Sequence, residues 1–384
     1  MVTNKIKIMI VAGEASGDGH AAKLVTALRE ARPESEAEFF GAAGPKMRAA
    51  GVEAIVNADD LSIVGLAEIA RSIPMFLRAF RTLVKAVDRQ EPAVVILVDF
   101  PDFNLKLART LKKRGVRVVY YISPQVWAWR QYRISAIKRY VDLLIAILPF
   151  EKEWYARRGV TNVEYVGNPL TREVHATTGK NEFCRSHSLE PSRPIIALLP
   201  GSRSKEIDRI FPVMADSAAI IREKIPGVQF VVPVSSIQSR GEVERIVASK
   251  NVSAFFAIVE NETYDALNSA DAAAVASGTA TLETGIIGTP LVVVYKTSSL
   301  NYRLLEPMID VPHYGLINLI AERRVAKELI QDDFNAETLA AELIDLLGSD
   351  RNAAMRSELK TAAEKLGGGG ASGRAAAAIL KLIE

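Results

Sequence analysis

Two turns in the second half of the chain carry the groups needed to hold a diphosphate: Pro200-Gly201-Ser202-Arg203 and Ala276-Ser277-Gly278-Thr279-Ala280-Thr281. Each follows a short apolar run and opens a helical pattern. In the first, the Arg203 guanidinium can grip phosphate oxygens bidentately while the N–H groups of the turn add donors. In the second, Gly278 permits close backbone approach, Ser277, Thr279 and Thr281 offer hydroxyls, and the helix beginning there points its positive end at an anion. Glu283 lies one helical turn beyond Thr279, where its carboxylate can accept from ribose hydroxyls. Ser277 alone is also an ordinary helix cap. The conjunction of both turns is what points to a diphosphate held without a metal.

The first half has three further turns with chemical character. Gly13-Glu14-Ala15-Ser16-Gly17-Asp18-Gly19-His20 is glycine-rich and leads from a strand pattern to a helix pattern, yet it lacks the spacings of dinucleotide, triphosphate and hydrolase loops. Asp99-Phe100-Pro101-Asp102-Phe103-Asn104 follows a fully apolar run, which places Asp99 at a strand's end and Asp102 near a helix start, where it can equally serve as a cap. A carboxylate ending a buried strand suits a base, with His20 as its rival. Ser123-Pro124-Gln125-Val126-Trp127-Ala128-Trp129-Arg130 holds two of the three tryptophans beside a basic group, suited to stacking on sugars and equally to filling a core.

The elements that must position these turns are short β-branched strands alternating with amphipathic helices, a pattern that builds parallel sheets. In parallel sheets ligands bind beyond the carboxyl ends of the strands, where all of these turns lie. The patterning predicts strands over 5–12, 93–99, 116–121 and 143–148, then 194–199, 228–232, 253–258, 272–276 and 291–295. The 384 residues exceed what one core usually serves, and turn formers cluster over 168–193. The expected class is therefore α/β, with two doubly wound domains, 1–172 and 173–366, and room for a large cleft between them. Gly367–Gly373 forms a flexible joint before a last helix, 374–384, which is expected to cross back onto the first domain or onto a partner subunit.

Composition excludes several classes. With 49% hydrophobic and 24% charged residues the chain is neither disordered nor fibrous. The single cysteine, Cys184, cannot form an internal disulfide or a thiolate metal site, which fits a reducing cytoplasm. The opening apolar stretch is too short and too soon polar for a signal peptide, and no run reaches the length of a spanning helix. The net charge of +3 combines a basic first half with an acidic second half, so the first half prefers an anionic partner. Four scattered histidines and the absence of an Asp-x-Asp motif give no metal cluster, and no cofactor is expected.

At these residues the sequence resembles the lipid-A-disaccharide synthase family, glycosyltransferases of the GT-B type. The shared words are Gly13-Glu-Ala-Ser-Gly-Asp18, Asp99-Phe-Pro-Asp-Phe-Asn104, Ser123-Pro-Gln-Val-Trp-Ala-Trp-Arg130, Leu148-Pro-Phe-Glu151, Val166-Gly-Asn-Pro-Leu170, Leu199-Pro-Gly-Ser-Arg203 and Ala276-Ser-Gly-Thr-Ala-Thr-Leu-Glu283. They run in order over nearly the whole chain. Leu316-Ile317-Asn318 departs from the Leu-Pro-Asn of many relatives, which leaves the local backbone open. The resemblance implies two facing Rossmann-like domains, with the acceptor on the first and a UDP-sugar on the second. It implies transfer of 2,3-diacylglucosamine from UDP to 2,3-diacylglucosamine 1-phosphate, giving a β-1,6 disaccharide and UDP in lipopolysaccharide biosynthesis. It also makes Asp99 the base, places Glu14, Ser16, Asp18, Trp127, Arg130 and Asn318 around the acceptor or cleft, and allows a homodimer.

Two lipid-bearing sugars imply work at the cytoplasmic face of the inner membrane of a Gram-negative bacterium. The segment Glu68 to Gln90, which mixes Ile73, Phe76, Leu77 and Phe80 with Arg78, Arg81 and Lys85, is the expected contact, or else an ordinary helix packed by its apolar stripe. Competing readings on the same architecture are a UDP-N-acetylglucosamine epimerase, a peptidoglycan glycosyltransferase and a non-catalytic nucleotide-sugar binding protein.

Overall fold

The computed structural model describes residues 6–32, 37–61, 66–250, 252, 255–299, 302–303 and 311–384, with the side chains of residue 60 and of 66–72 also outside the description. The chain forms two compact units. One comprises Met1–Pro169 together with Gly369–Glu384, the other Leu170–Gly368.

The first unit is a seven-stranded sheet: β1 (Ile6–Ala12), β2 (Ala37–Ala43), β3 (Glu53–Asn57), β4 (Val94–Val98), β5 (Val118–Tyr121), β6 (Leu143–Ala146) and β7 (Val163–Tyr165). The order is β3-β2-β1-β4-β5-β6-β7, and neighbouring strands run parallel. Every residue of β4 is buried, as its unbroken Val-Val-Ile-Leu-Val run requires of a strand covered on both faces. Alternate residues feed two cores. Met9, Val11, Val95 and Leu97 face one, and Ile8, Ile10, Val94 and Ile96 face the other.

The second unit is a six-stranded sheet: β8 (Ile195–Leu199), β9 (Gln229–Val234), β10 (Phe256–Glu260), β11 (Ala272–Ala276), β12 (Leu291–Tyr295) and β13 (Glu328–Ile330). Its order is β10-β9-β8-β11-β12-β13, again parallel. Both sheets reverse their winding between the first and fourth strands of the unit, β1 and β4 in one, β8 and β11 in the other. Such a reversal leaves a crevice at the carboxyl edge because the two connecting helices depart to opposite faces.

The last helix, Ala371–Ile383, belongs to the first unit. Its Ala371, Ala375, Ala376 and Ile379 join the core that holds Ala21, Leu24, Val25 and Leu28 of the helix Ala15–Ala31. Small residues let the two helices approach closely. Arg374 Nε donates to the Val166 carbonyl at 2.8 Å, and Arg32 pairs with Glu384 at 2.5 Å. Gly370, at φ 71°, supplies the left-handed turn that starts this helix.

Candidate functional site

The register of the second sheet sets the two phosphate-suited turns side by side. Val275 pairs with Leu199, so β8 and β11 end together and both turns rise from the same edge. They line one cavity of about 390 Å³ with Gly201, Ser202, Arg203, Glu206, Ser277 and Gly278. Arg203 caps the helix Ser204–Lys224 with its backbone in an extended conformation. Its side chain is 79% exposed and touches Glu206 only loosely, at 3.4 Å, so it can turn onto a ligand at little cost.

Gly278 precedes the helix Thr279–Ile287 with φ 146°. A Cβ there would meet no atom within 4 Å, so the glycine serves the backbone conformation and the approach of something outside the fold. Thr279 is exposed at the helix start. Ser277 and Thr281 hold the turn's shape. The Ser277 hydroxyl donates to the Tyr314 carbonyl at 2.7 Å, while the buried Thr281 hydroxyl donates to Gly278 O at 2.8 Å and accepts from Leu316 N at 3.1 Å. Glu283 accepts from Tyr264 Oη at 3.2 Å. Burial, reinforced by the negative charge of Glu173, pushes its carboxyl above the usual range.

In the first unit Ala12 pairs with Val98, which brings the Gly13 turn beside Asp99. Asp99 and Phe100 have φ of 46° and 50°, two consecutive left-handed non-glycine residues. Such strain persists only where surrounding structure enforces it. Here the enforcement is visible: Tyr120 Oη donates to the Asp99 carbonyl at 2.6 Å and Asn104 Nδ2 at 2.8 Å. The Phe100 ring fills the space a Cβ on Gly13 would need, 2.4 Å from it. Burial, and next the charge of Glu14, raises the Asp99 carboxyl, while the Phe100 N–H pulls it back. Glu14 and Ser16 are exposed at the start of Ala15–Ala31, and His20 is half-buried in its second turn.

Three of the expected acceptor residues are spent on the fold. Asp18 is buried and accepts from the backbone N–H groups of Gly44, Lys46 and Met47 at 2.8–3.1 Å, capping the short helix Pro45–Ala49. Trp127 is buried, donates from Nε1 to Glu151 at 3.0 Å and packs edge-on against Phe150. Asn318 is wholly buried; it accepts from Val325 N and Ala326 N and donates to Ala326 O and Glu328. Ile317 stands in the first turn of the helix Leu316–Ala321, where proline also fits, so the departure from Leu-Pro-Asn leaves Asn318 in place. The exposed tryptophan is Trp129, with the Arg130 guanidinium 4.2 Å from its ring centre.

Sequence patterning overlooked Tyr264, Glu206 and Tyr120, which carry no motif and act only through the partner the fold gives them. It also left the role of Glu151 unread. This carboxylate is fully buried and accepts from Trp127, Ile147 N and Leu148 N, yet burial outweighs those donors and raises its pKa to about 7. Because the folded value lies above the unfolded one, its stabilising contribution is complete below about 4.3 and lost as pH rises through about 7. Thermal melts from pH 5 to 8 are expected to show this decline in the wild type and a flatter profile in Glu151→Gln.

Among the described residues no group of three or more His, Cys, Asp or Glu is placed to hold a metal ion, and no helix is long and apolar enough to cross a membrane. The family model for lipid-A-disaccharide synthetase matches residues 8–381. The chain is 42% identical over 379 residues to the lipid-A-disaccharide synthase of Geobacter sulfurreducens, covering 98% of this chain and 97% of that one. It is 44% identical over 382 residues to that of Syntrophus aciditrophicus, covering 99% of each. The fold is similar to the crystal structure of UDP-GlcNAc 2-epimerase from Neisseria meningitidis bound to UDP-GlcNAc, with TM-score 0.66, 13% identity, and coverage of 98% of this chain and 100% of that chain. Full-length identity at this level, with the family's words on the carboxyl edges of two GT-B sheets, makes this chain a member of the lipid-A-disaccharide synthase family, a UDP-sugar-dependent glycosyltransferase of lipid A disaccharide synthesis.

Proposed function

We propose that the chain moves 2,3-diacylglucosamine from UDP to the 6-hydroxyl of 2,3-diacylglucosamine 1-phosphate with inversion, in one in-line displacement. The observation that carries this reading is the pair of turns around one cavity in the second unit. It matches a nucleoside diphosphate donor, with Arg203 and the start of Thr279–Ile287 facing the charge that grows on the leaving diphosphate. Glu283, oriented by Tyr264, accepts from the ribose. In the first unit, Asp99 takes the acceptor's proton; a carboxyl raised by burial and by Glu14 is a stronger base than an ordinary one. Glu14 and Ser16 stand beside it as acceptor contacts. The test is UDP release measured with and without the acylated acceptor. Release that depends on the acceptor supports transfer. Binding of the UDP-sugar without release supports a binding protein, and release of UDP without the acceptor supports an epimerase-like cleavage.

Both substrates are lipids, so we place the membrane contact on the helix Leu66–Gln90. Leu83, Val84 and Val87 bury its inner stripe, while Ile73 and Leu77 stay 52% and 51% exposed, and Arg78 and Arg81 are exposed nearby. Exposed apolar side chains beside basic ones suit an anionic bilayer surface. Reversing both charges, Arg78→Glu with Arg81→Glu, is expected to abolish sedimentation with anionic vesicles at low salt. Unchanged sedimentation would remove this helix as the contact. A second copy of the chain as partner is likewise proposed on the family resemblance alone, and analytical ultracentrifugation decides it.

A further inference from the structure

Beside the base lies a second cluster of charge, in which Arg130 of the expected acceptor residues has been given no particular partner on the substrate. Asp102, one backbone turn after Asp99 and 70% exposed, accepts from Arg130 Nη1 at 3.1 Å and from Arg133 Nη2. Arg133 is nearly closed off, its side chain 7% exposed. Arg130 sits at φ 55°, a left-handed conformation that costs a non-glycine residue energy, and it lies over the face of Trp129, itself 39% exposed. The buried Tyr120, whose hydroxyl holds the Asp99 carbonyl, also feels the charges of Arg133 and Asp102. Asp99, Asp102 and Arg133 are therefore grouped around one phenol, and Arg130 joins them through Asp102.

The Arg130–Asp102 half of this clasp is open to water on both sides, which makes it weak. A dianionic phosphate offers more charge and more acceptor oxygens to the same planar donors. We infer that Arg130 and Arg133, oriented by Trp129, form the site for the phosphomonoester of the acceptor sugar, and that Asp102 is the counter-ion this phosphate displaces. The site rests on the reaction proposed above and sets its acceptor specificity: a sugar gripped by its phosphate here presents its far hydroxyl toward Asp99.

The test uses the full chain and two acceptors, 2,3-diacylglucosamine with and without its 1-phosphate. In Arg130→Ala the preference for the phosphorylated acceptor, as the ratio of kcat/KM values, is expected to fall about 10- to 100-fold, with donor KM unchanged. Arg130→Lys, which keeps the charge and loses the fork, should restore only part of it. Asp102→Asn should lower the KM for the phosphorylated acceptor, whereas a purely structural clasp predicts a rise. A preference preserved in Arg130→Ala, or an equal loss on both acceptors, overturns the site. A loss that appears instead as raised donor KM or weaker sedimentation with anionic vesicles assigns the arginines to the diphosphate or to lipid headgroups, and overturns it too. Wild-type enzyme that releases no UDP with the phosphorylated acceptor would overturn the reaction, and the site with it.

Discussion

Asp99→Asn is expected to lower kcat by about 10²- to 10⁴-fold, the usual worth of a positioned general base, while the KM for the UDP-sugar stays near its original value. The cavity proposed for the donor is lined by residues of the second unit and Asp99 belongs to the first, so the substitution should leave donor contacts intact. The backbone at Asp99 is held by Tyr120 and Asn104 through its carbonyl, not its carboxylate, so the strained turn should survive the change. The pH profile provides a second reading. A base must be ionised, so the acid limb of kcat/KM in the wild type should lie above the ordinary aspartate value of about 3.9, because burial and Glu14 raise the group. That limb should vanish in the variant. Stability runs the other way. A folded pKa above the unfolded one contributes stability at low pH that is lost as pH rises through the folded value, so Asp99→Asn should melt somewhat higher than the wild type at neutral pH. If His20→Ala loses turnover and Asp99→Asn keeps it, the base is His20.

Arg203→Ala should cost about 10²- to 10³-fold in kcat, the loss measured when a preorganised donor to developing negative charge is removed. The side chain is exposed and lightly held by Glu206, so little of that loss can come from unfolding, and an unchanged melting temperature would separate the two causes. Arg203→Lys should recover part of the rate, since the charge remains but the bidentate geometry does not. Glu206→Gln offers a complementary measurement. Freed of its loose partner, Arg203 should bind UDP at least as tightly, whereas a role in shaping the turn would make binding weaker. Isothermal titration with UDP reads both variants without requiring the acceptor.

The strands that sequence patterning reveals are those whose residues are apolar on both faces. Val94–Val98, Ile195–Leu199 and Ala272–Ala276 lie at the centres of their sheets, and the continuous apolar run is the direct imprint of burial on both sides. The strands it passes over are of a different kind. Ala37–Ala43 contains alanine, glycine and glutamate, poor strand formers, and is held by its pairing with β1. Glu53–Asn57 is a partly exposed edge, and Val163–Tyr165 and Glu328–Ile330 are three-residue edges with too little length for a period to register. Residues 253 and 254, at the start of one expected strand, lie outside the described residues.

The same division holds for the site. Turns are legible because a glycine, a hydroxyl and a guanidinium at a strand's end narrow the possible chemistry. The direction in which a polar side chain points is not. Asp18 and Asp99 both stand at the carboxyl edge of the first sheet in glycine- or proline-bearing words. Asp18 turns inward to three backbone N–H groups and Asp99 is raised by burial next to Glu14. Trp127 and Trp129 are two residues apart in a turn that buries the first and exposes the second. Asn318 has the residue type of a ligand contact, but its side chain is bonded to Val325, Ala326 and Glu328 of the segment that follows its helix. For Asp18 and Trp127 the deciding partners are remote in sequence, and for Asn318 they lie 7 to 10 residues on, past the end of its own helix; no local pattern encodes either.

The small-residue face of Ala371–Ile383 has a consequence for how the molecule is made. The helix Ala15–Ala31 leaves the ribosome before the whole of the second unit, and the alanines that cover it leave after that unit. Domains generally fold as they emerge. Here the second unit can finish while the first still waits with Leu24, Val25 and Leu28 uncovered on one side. A growing chain thus carries a sticky, incomplete first unit throughout synthesis of the second, and only the arrival of Ala371–Ile383 closes it.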